Sequence, residues 1–142
     1  MTLRSTLALF AILSFSSAFT WGQTAAVTNP NTAKWTHASN DPPGSESVVL
    51  REDAKTGGLE LLARYPAGHV FKPHWHESNE RILLLEGRLS LTEAGGEKIL
   101  EPGGFAFLPA REVQKMACVS NTRCTFYVSW DGNPASRPPA AP

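Results

Sequence analysis

The sequence predicts an all-β domain, a sandwich or barrel of short strands, and two observations carry that reading. Apolar runs of strand length recur along residues 47–130, and the segments between them, TGG, PAG, ESN, EG, EAGG, EPGG and VSNTR, consist of turn formers. Beyond the N-terminal leader no stretch shows the sustained helical period that crossovers between parallel strands would need. An apolar fraction of 42% over 142 residues is enough for one core and suggests one domain. The 13 basic and 13 acidic side chains cancel to a formal net charge of +0, which argues against a nucleic-acid partner.

The chain opens MTLRSTLALFAILSFSSAFTWGQ, in which Arg4 is followed by an apolar run from Leu7 to Phe15 and then by small or polar residues. That is the layout of a secretory signal peptide, and the run falls short of the roughly 20 apolar residues that span a bilayer. A signal peptide of residues 1–22 is expected, cleaved after Gly22 or alternatively after Ala18, leaving a periplasmic or secreted protein without a membrane attachment. Residues 23–44 form a lead-in that ends in the DPPG turn, Asp41 to Gly44.

The domain proper is expected at 45–130. Its strands are read at SVVLR (47–51), LELLARY (59–65), VFKPHWH (70–76), RILLLE (81–86) and RLSLT (88–92), then EKIL (97–100), FAFLP (105–109), VQKMA (113–117) and CTFYVSW (124–130). LELLARYP and RILLLEG lack clean alternation, as expected of strands with both faces against protein. The tail, 131–142, is Pro-rich and apolar-poor; it is expected to be flexible and to trail into solvent without joining a sheet.

Cys118 and Cys124 are the only two cysteines. Reading VSNTR as a hairpin turn sets them opposite each other on paired strands, where an exported protein would form a disulfide; two free buried thiols are the alternative.

The chemistry is concentrated in PHWHESNE, residues 73–80. On a strand, residues two apart share a face, with Cα atoms roughly 6.5–7 Å apart, so His74 and His76 can aim both imidazoles at one ion. Pro73 disfavours a helix here, where the same spacing would point them apart. A turn through Glu77, Ser78 and Asn79 would then bring Glu80 to face them on the next strand. Two imidazoles, one carboxylate and open positions suit a divalent transition metal, Fe or Mn first, with Zn, Ni and Co also compatible.

The stretch GHVFKPHWHESNERILLLEG places Gly68, His74, His76, Glu80 and Gly87 at the spacing of the first motif of the cupin superfamily, and the resemblance runs over roughly residues 45–130. PGGFAFLPAREVQ resembles the second motif, except that Gln114 stands where that motif supplies a histidine. The resemblance implies a small antiparallel jelly-roll barrel with the metal in its mouth, held by His74, His76 and Glu80, and a homodimer; Gln114 is read either as a weaker fourth ligand through its carbonyl oxygen or as a hydrogen-bond partner of a bound water. It implies a metal-dependent enzyme on a small molecule, a dioxygenase, oxidase or isomerase; the alternative is a non-catalytic small-ligand-binding cupin with an incomplete metal set. Arg64 is a candidate for orienting an anionic substrate, with a surface role as the alternative. His69 and His37 are read as turn and lead-in residues, Glu77 as a solvated acid, and Trp75 and Arg81 as pointing away from the metal.

Overall fold

The computed structural model describes residues 27–37, 39 and 41–139; the expected signal peptide, 1–22, lies outside the described residues. The strands are β1 (Glu46–Asp53), β2 (Gly58–Tyr65), β3 (Trp75–His76), β4 (Glu80–Glu86), β5 (Leu89–Glu93), β6 (Gly96–Leu100), β7 (Phe105–Leu108), β8 (Lys115–Cys118), β9 (Cys124–Trp130) and β10 (Ser136–Arg137). Among the described residues there is no helix. Five strands form one antiparallel sheet in the order β1-β2-β9-β4-β7, three form a second in the order β6-β5-β8, and β10 pairs with β3.

Residue alternation decides which side chains enter the core. Ile82 lies across from Val128, and Leu84 across from Phe126, so one face of β4 and β9 presents a continuous apolar surface. That face, joined by Ala63 of β2, packs on Leu89 and Leu91 of β5 and on Met116 of β8. The two sheets are therefore layers of a sandwich around one core. They are not hydrogen-bonded into a closed barrel.

The segment read as a strand over 70–76 shows why closure fails. Phe71 donates to the Met116 carbonyl at 2.9 Å, and His74 and Gln114 exchange backbone bonds of 3.1 and 2.8 Å along the free edge of β8. Between them Pro73 has no N–H to give, so the pairing stays a set of isolated bridges and only Trp75–His76 is regular strand.

Two other expectations are overturned. The cysteines do form a disulfide, with Cα atoms 5.8 Å apart, but β8 and β9 are not a hairpin: β8 pairs with β5, and β9 with β2 and β4. Both thiols point inward from facing layers, and the bridge staples one sheet to the other. The tail also does not simply trail away. Ser136 and Arg137 pair with His76 and Trp75, and the Trp75 indole donates to the Pro138 carbonyl at 3.0 Å. Backbone bonding to an open two-residue edge needs no apolar side chains, which is why composition did not reveal it.

Gly87 carries the chain from β4 in one sheet to β5 in the other. It has φ +86°, and a Cβ there would stand 2.6 Å from the Arg123 carbonyl oxygen and 2.9 Å from the Cys124 sulfur. Gly68 also has positive φ (+75°), but among the described residues nothing lies within 4 Å of an added Cβ. Gly87→Ala is expected to lower the unfolding free energy by clearly more than about 1 kcal/mol, and Gly68→Ala by less, measured by urea denaturation of the oxidised protein.

Candidate metal centre

His74, His76 and Glu80 come together between the sheets, each offering one donor atom within 4.8 Å of the others. Local geometry explains the approach. His74 sits on the bridge to Gln114, His76 is held by β10, and Glu80 opens β4 on its inner face, across from Leu108 and Trp130. The His76 and Glu80 side chains are 7% and 3% exposed.

Backbone carbonyls fix both imidazoles. His74 Nδ1 lies 2.7 Å from the Lys72 oxygen and His76 Nδ1 lies 2.8 Å from the Pro134 oxygen. A carbonyl only accepts, so each ring carries a proton on Nδ1, and in the neutral ring Nε2 is left free to accept or ligate. His76 Nε2 is buried, lacks a hydrogen-bond partner and faces Glu80 Oε2 at 3.4 Å. A lone pair directed at a carboxylate, out of water, is unfavourable unless a proton or a cation stands between them. This donor set fits a divalent transition metal, with the two carbonyls as the outer partners that orient metal-ligating histidines.

Gln114, 2% exposed, donates from Nε2 to Glu80 Oε2 at 2.5 Å, and the same nitrogen lies 3.3 Å from His74 Nε2. Its Oε1 is buried without a partner. The amide nitrogen, and not the carbonyl oxygen that would ligate a metal, is turned to the carboxylate.

Without a cation the site favours neutral forms. Burial raises the Glu80 pKa to about 7 against the opposing bond from Gln114. Burial, followed by the proximity of His74, lowers that of His76, while the backbone bonds to Pro134 and Ala135 oppose the shift.

The centre opens into a cavity of about 550 Å³ between the sheets, with walls that include Leu61, Phe71, Met116, Phe126 and Trp130. That volume is within the usual range for small-molecule sites. Arg64 does not line it. Ala63 and Tyr65 face the cavity, so the residue between them points to the opposite face. There Arg64 bonds Glu46 Oε2 at 2.7 Å and stands 4.1 Å over the Trp35 ring, which corrects the substrate-orienting expectation. Glu77 lies near Arg111 and Arg137, at 3.3 and 3.9 Å, and Arg81 pairs with Asp131, all away from the centre. Tyr65 and His69 do line the cavity, although neither was singled out as a site residue from the sequence. The alternation Leu61, Ala63, Tyr65 was the available signal.

An antiparallel β-sandwich with this His-x-His-x3-Glu set defines a protein of the cupin superfamily. More narrowly, the chain belongs to the ChrR cupin-like domain family, whose model matches residues 23–131. Among solved structures it is similar to the polyketide cyclase RemF from Streptomyces resistomycificus, at 20% identity and TM-score 0.66, covering 84% of this chain and 88% of that one. It is similar to KdgF from Halomonas sp., at 16% identity and TM-score 0.63, covering 76% and 94%. A cupin-superfamily sugar phosphate isomerase from Silicibacter pomeroyi matches at 21% identity and TM-score 0.60, covering 76% of each chain. At these identities the likeness is one of fold. No curated protein matches the chain by sequence.

The Glu80 shift sets a pH dependence for the metal-free protein. Between pH 4.5, the ordinary value, and about 7 the folded state keeps a proton that the unfolded state has released, so this contribution to stability falls as pH rises. His76, lowered on folding, contributes the opposite slope up to pH 6.5, in wild type and variant alike. Relative to wild type, metal-free Glu80→Gln is therefore expected to gain stability from pH 4.5 to about 7 and to hold a constant difference above, as followed by chemical denaturation.

Proposed function

We propose that this chain is an exported, metal-dependent cupin enzyme acting on a small molecule, an oxidoreductase or isomerase. The observation that carries the reading is the cluster of half-buried His74 with buried His76 and Glu80, with an unpartnered His76 Nε2, opening into a cavity with apolar and polar walls. The enzymes among its structural neighbours, a polyketide cyclase and a sugar phosphate isomerase, support a small-molecule substrate. The N-terminal leader supports export, as does the disulfide, since such bonds persist in oxidising compartments.

His74, His76 and Glu80 would hold Fe or Mn, which supplies Lewis acidity or oxygen activation when bound. The chain's own residues do the rest. The Lys72 and Pro134 carbonyls hold the imidazoles in the ligating tautomer. Leu61, Phe71, Phe126 and Trp130 give the cavity apolar walls, and Gln114 holds the Glu80 carboxylate in place.

One observation favours a second reading, a non-catalytic small-ligand binder. Gln114 already satisfies Glu80 with an N–H, so the cluster tolerates the absence of a metal better than a cluster with a fourth histidine would.

Elemental analysis of untagged protein from its native compartment separates the readings. About one equivalent of Fe or Mn is expected, falling at least tenfold in His76→Ala and His74→Ala. A metal-free natural protein that gains metal only as Gln114→His would establish the binder instead.

A further inference from the structure

The cavity has a second polar pole that the metal reading does not use. Tyr65 stacks on His69 with ring centroids 4.9 Å apart and on Phe126 at 5.8 Å, while Phe71 meets it edge-on at 4.6 Å. Phe71 also meets the edge of His69, at 4.5 Å. Three rings thus hold the phenol in a fixed plane at the cavity wall. Tyr65 is only partly buried, and among the described residues its hydroxyl has no hydrogen-bond partner. The other tyrosine contrasts with it, because the Tyr127 hydroxyl donates to Glu60 at 3.1 Å outside the cavity. A phenylalanine would provide the same ring packing at position 65, so the hydroxyl adds only a donor directed to the cavity's contents.

We propose that Tyr65, steadied by His69, is a second binding group of this cavity and donates a hydrogen bond to a neutral carbonyl or hydroxyl oxygen on a flat, largely apolar ligand. The inference rests on the reading of the cavity as a small-molecule site and is independent of the metal. The flat body follows from the aromatic walls at Phe71, Phe126 and Trp130. Asp41, Glu80 and Lys72 all line the cavity, so acidic and basic side chains offset one another and no charge excess selects an ion over a neutral ligand. Burial first, then those two acids, raise the Tyr65 pKa to about 12, so the phenol remains a donor throughout the physiological range.

The test uses the full chain as purified, with acetophenone as the carbonyl probe and ethylbenzene as its match without the oxygen. The chain has 2 tyrosines, so ¹³Cζ-tyrosine labelling gives one resonance for Tyr65 and one for Tyr127. Acetophenone is expected to shift the Tyr65 resonance saturably and leave Tyr127 unmoved. Tyr65→Phe is expected to weaken acetophenone about fivefold while leaving ethylbenzene affinity and Tm unchanged. An unmoved Tyr65 resonance overturns the proposal, as does a Tyr65→Phe variant that binds acetophenone as well as wild type or loses both probes equally. Metal content measured on the same sample reports on the metal centre alone, so the two readings fail separately.

Discussion

The ring nitrogen of buried His76 and the buried Glu80 carboxylate are turned toward one another, with half-buried His74 beside them, and much of the fold serves to keep them so. Their mutual approach is unfavourable in itself, because lone pairs and negative charge converge where solvent cannot screen them. Such an arrangement persists only if the backbone fixes each group before the side chains meet. Here the Lys72 carbonyl fixes His74, the Pro134 carbonyl fixes His76, and the regular ladder of the five-stranded sheet fixes Glu80. Each restraint comes from a different part of the chain, which makes the centre a product of the assembled sandwich and not of the PHWHESNE segment alone.

That dependence gives meaning to the features joining the layers. The disulfide connects β8, which leads back to Gln114, with β9, which ends at Trp130 beside His76. Gly87 makes the other close crossing between the sheets and packs against the same cysteine. By the loop-closure model a crosslink over so short a span contributes only about 2 kcal/mol, so its larger consequence is positional: it holds the distance between the layers that carry the site. The tail has a comparable role. β10 is two residues long and adds little core, yet the carbonyl preceding it sets the tautomer of His76, a candidate metal ligand.

What was legible in the sequence follows the range of the interactions. Strand parity placed His74 and His76 on one face, and the turn through Glu77, Ser78 and Asn79 with the motif spacing added Glu80, because a strand, a turn and a returning strand are local. Parity also held the answer for Arg64, which lies between two inward residues of β2, but without the neighbouring strands the inward face could not be identified. The Pro134 carbonyl, 58 residues from its histidine, left no trace in composition, and a Pro-rich tail reads the same whether or not its backbone finds an edge. The apparent hairpin at VSNTR failed for a similar reason. A turn former between two apolar runs reports that the chain reverses, not whether the two runs pair in one sheet or separate into facing layers. Tyr65 is harder to read: the alternation Leu61, Ala63, Tyr65 puts it on the inward face, but its stacking on Phe126 joins the end of β2 to β9, and only that meeting distinguishes a cavity phenol from a core one.

Gln114 connects these strands of reasoning. Its N–H group occupies the electrostatic role that a cation would fill, placing positive charge density between Glu80 Oε2 and His74 Nε2. For its oxygen to ligate an ion the amide must turn over, breaking the bond to Glu80 as the ion replaces it. A histidine at this position could ligate with a ring nitrogen without turning over, and on losing the ion would have to switch tautomer or take up a proton before it could donate to Glu80. The glutamine therefore lowers the free energy of the metal-free state relative to the loaded one, weakening metal affinity while protecting a buried carboxylate from isolation. A cluster built this way would release an ion more readily than one closed by four committed ligands, and its occupancy would then depend on the metal supply around the protein.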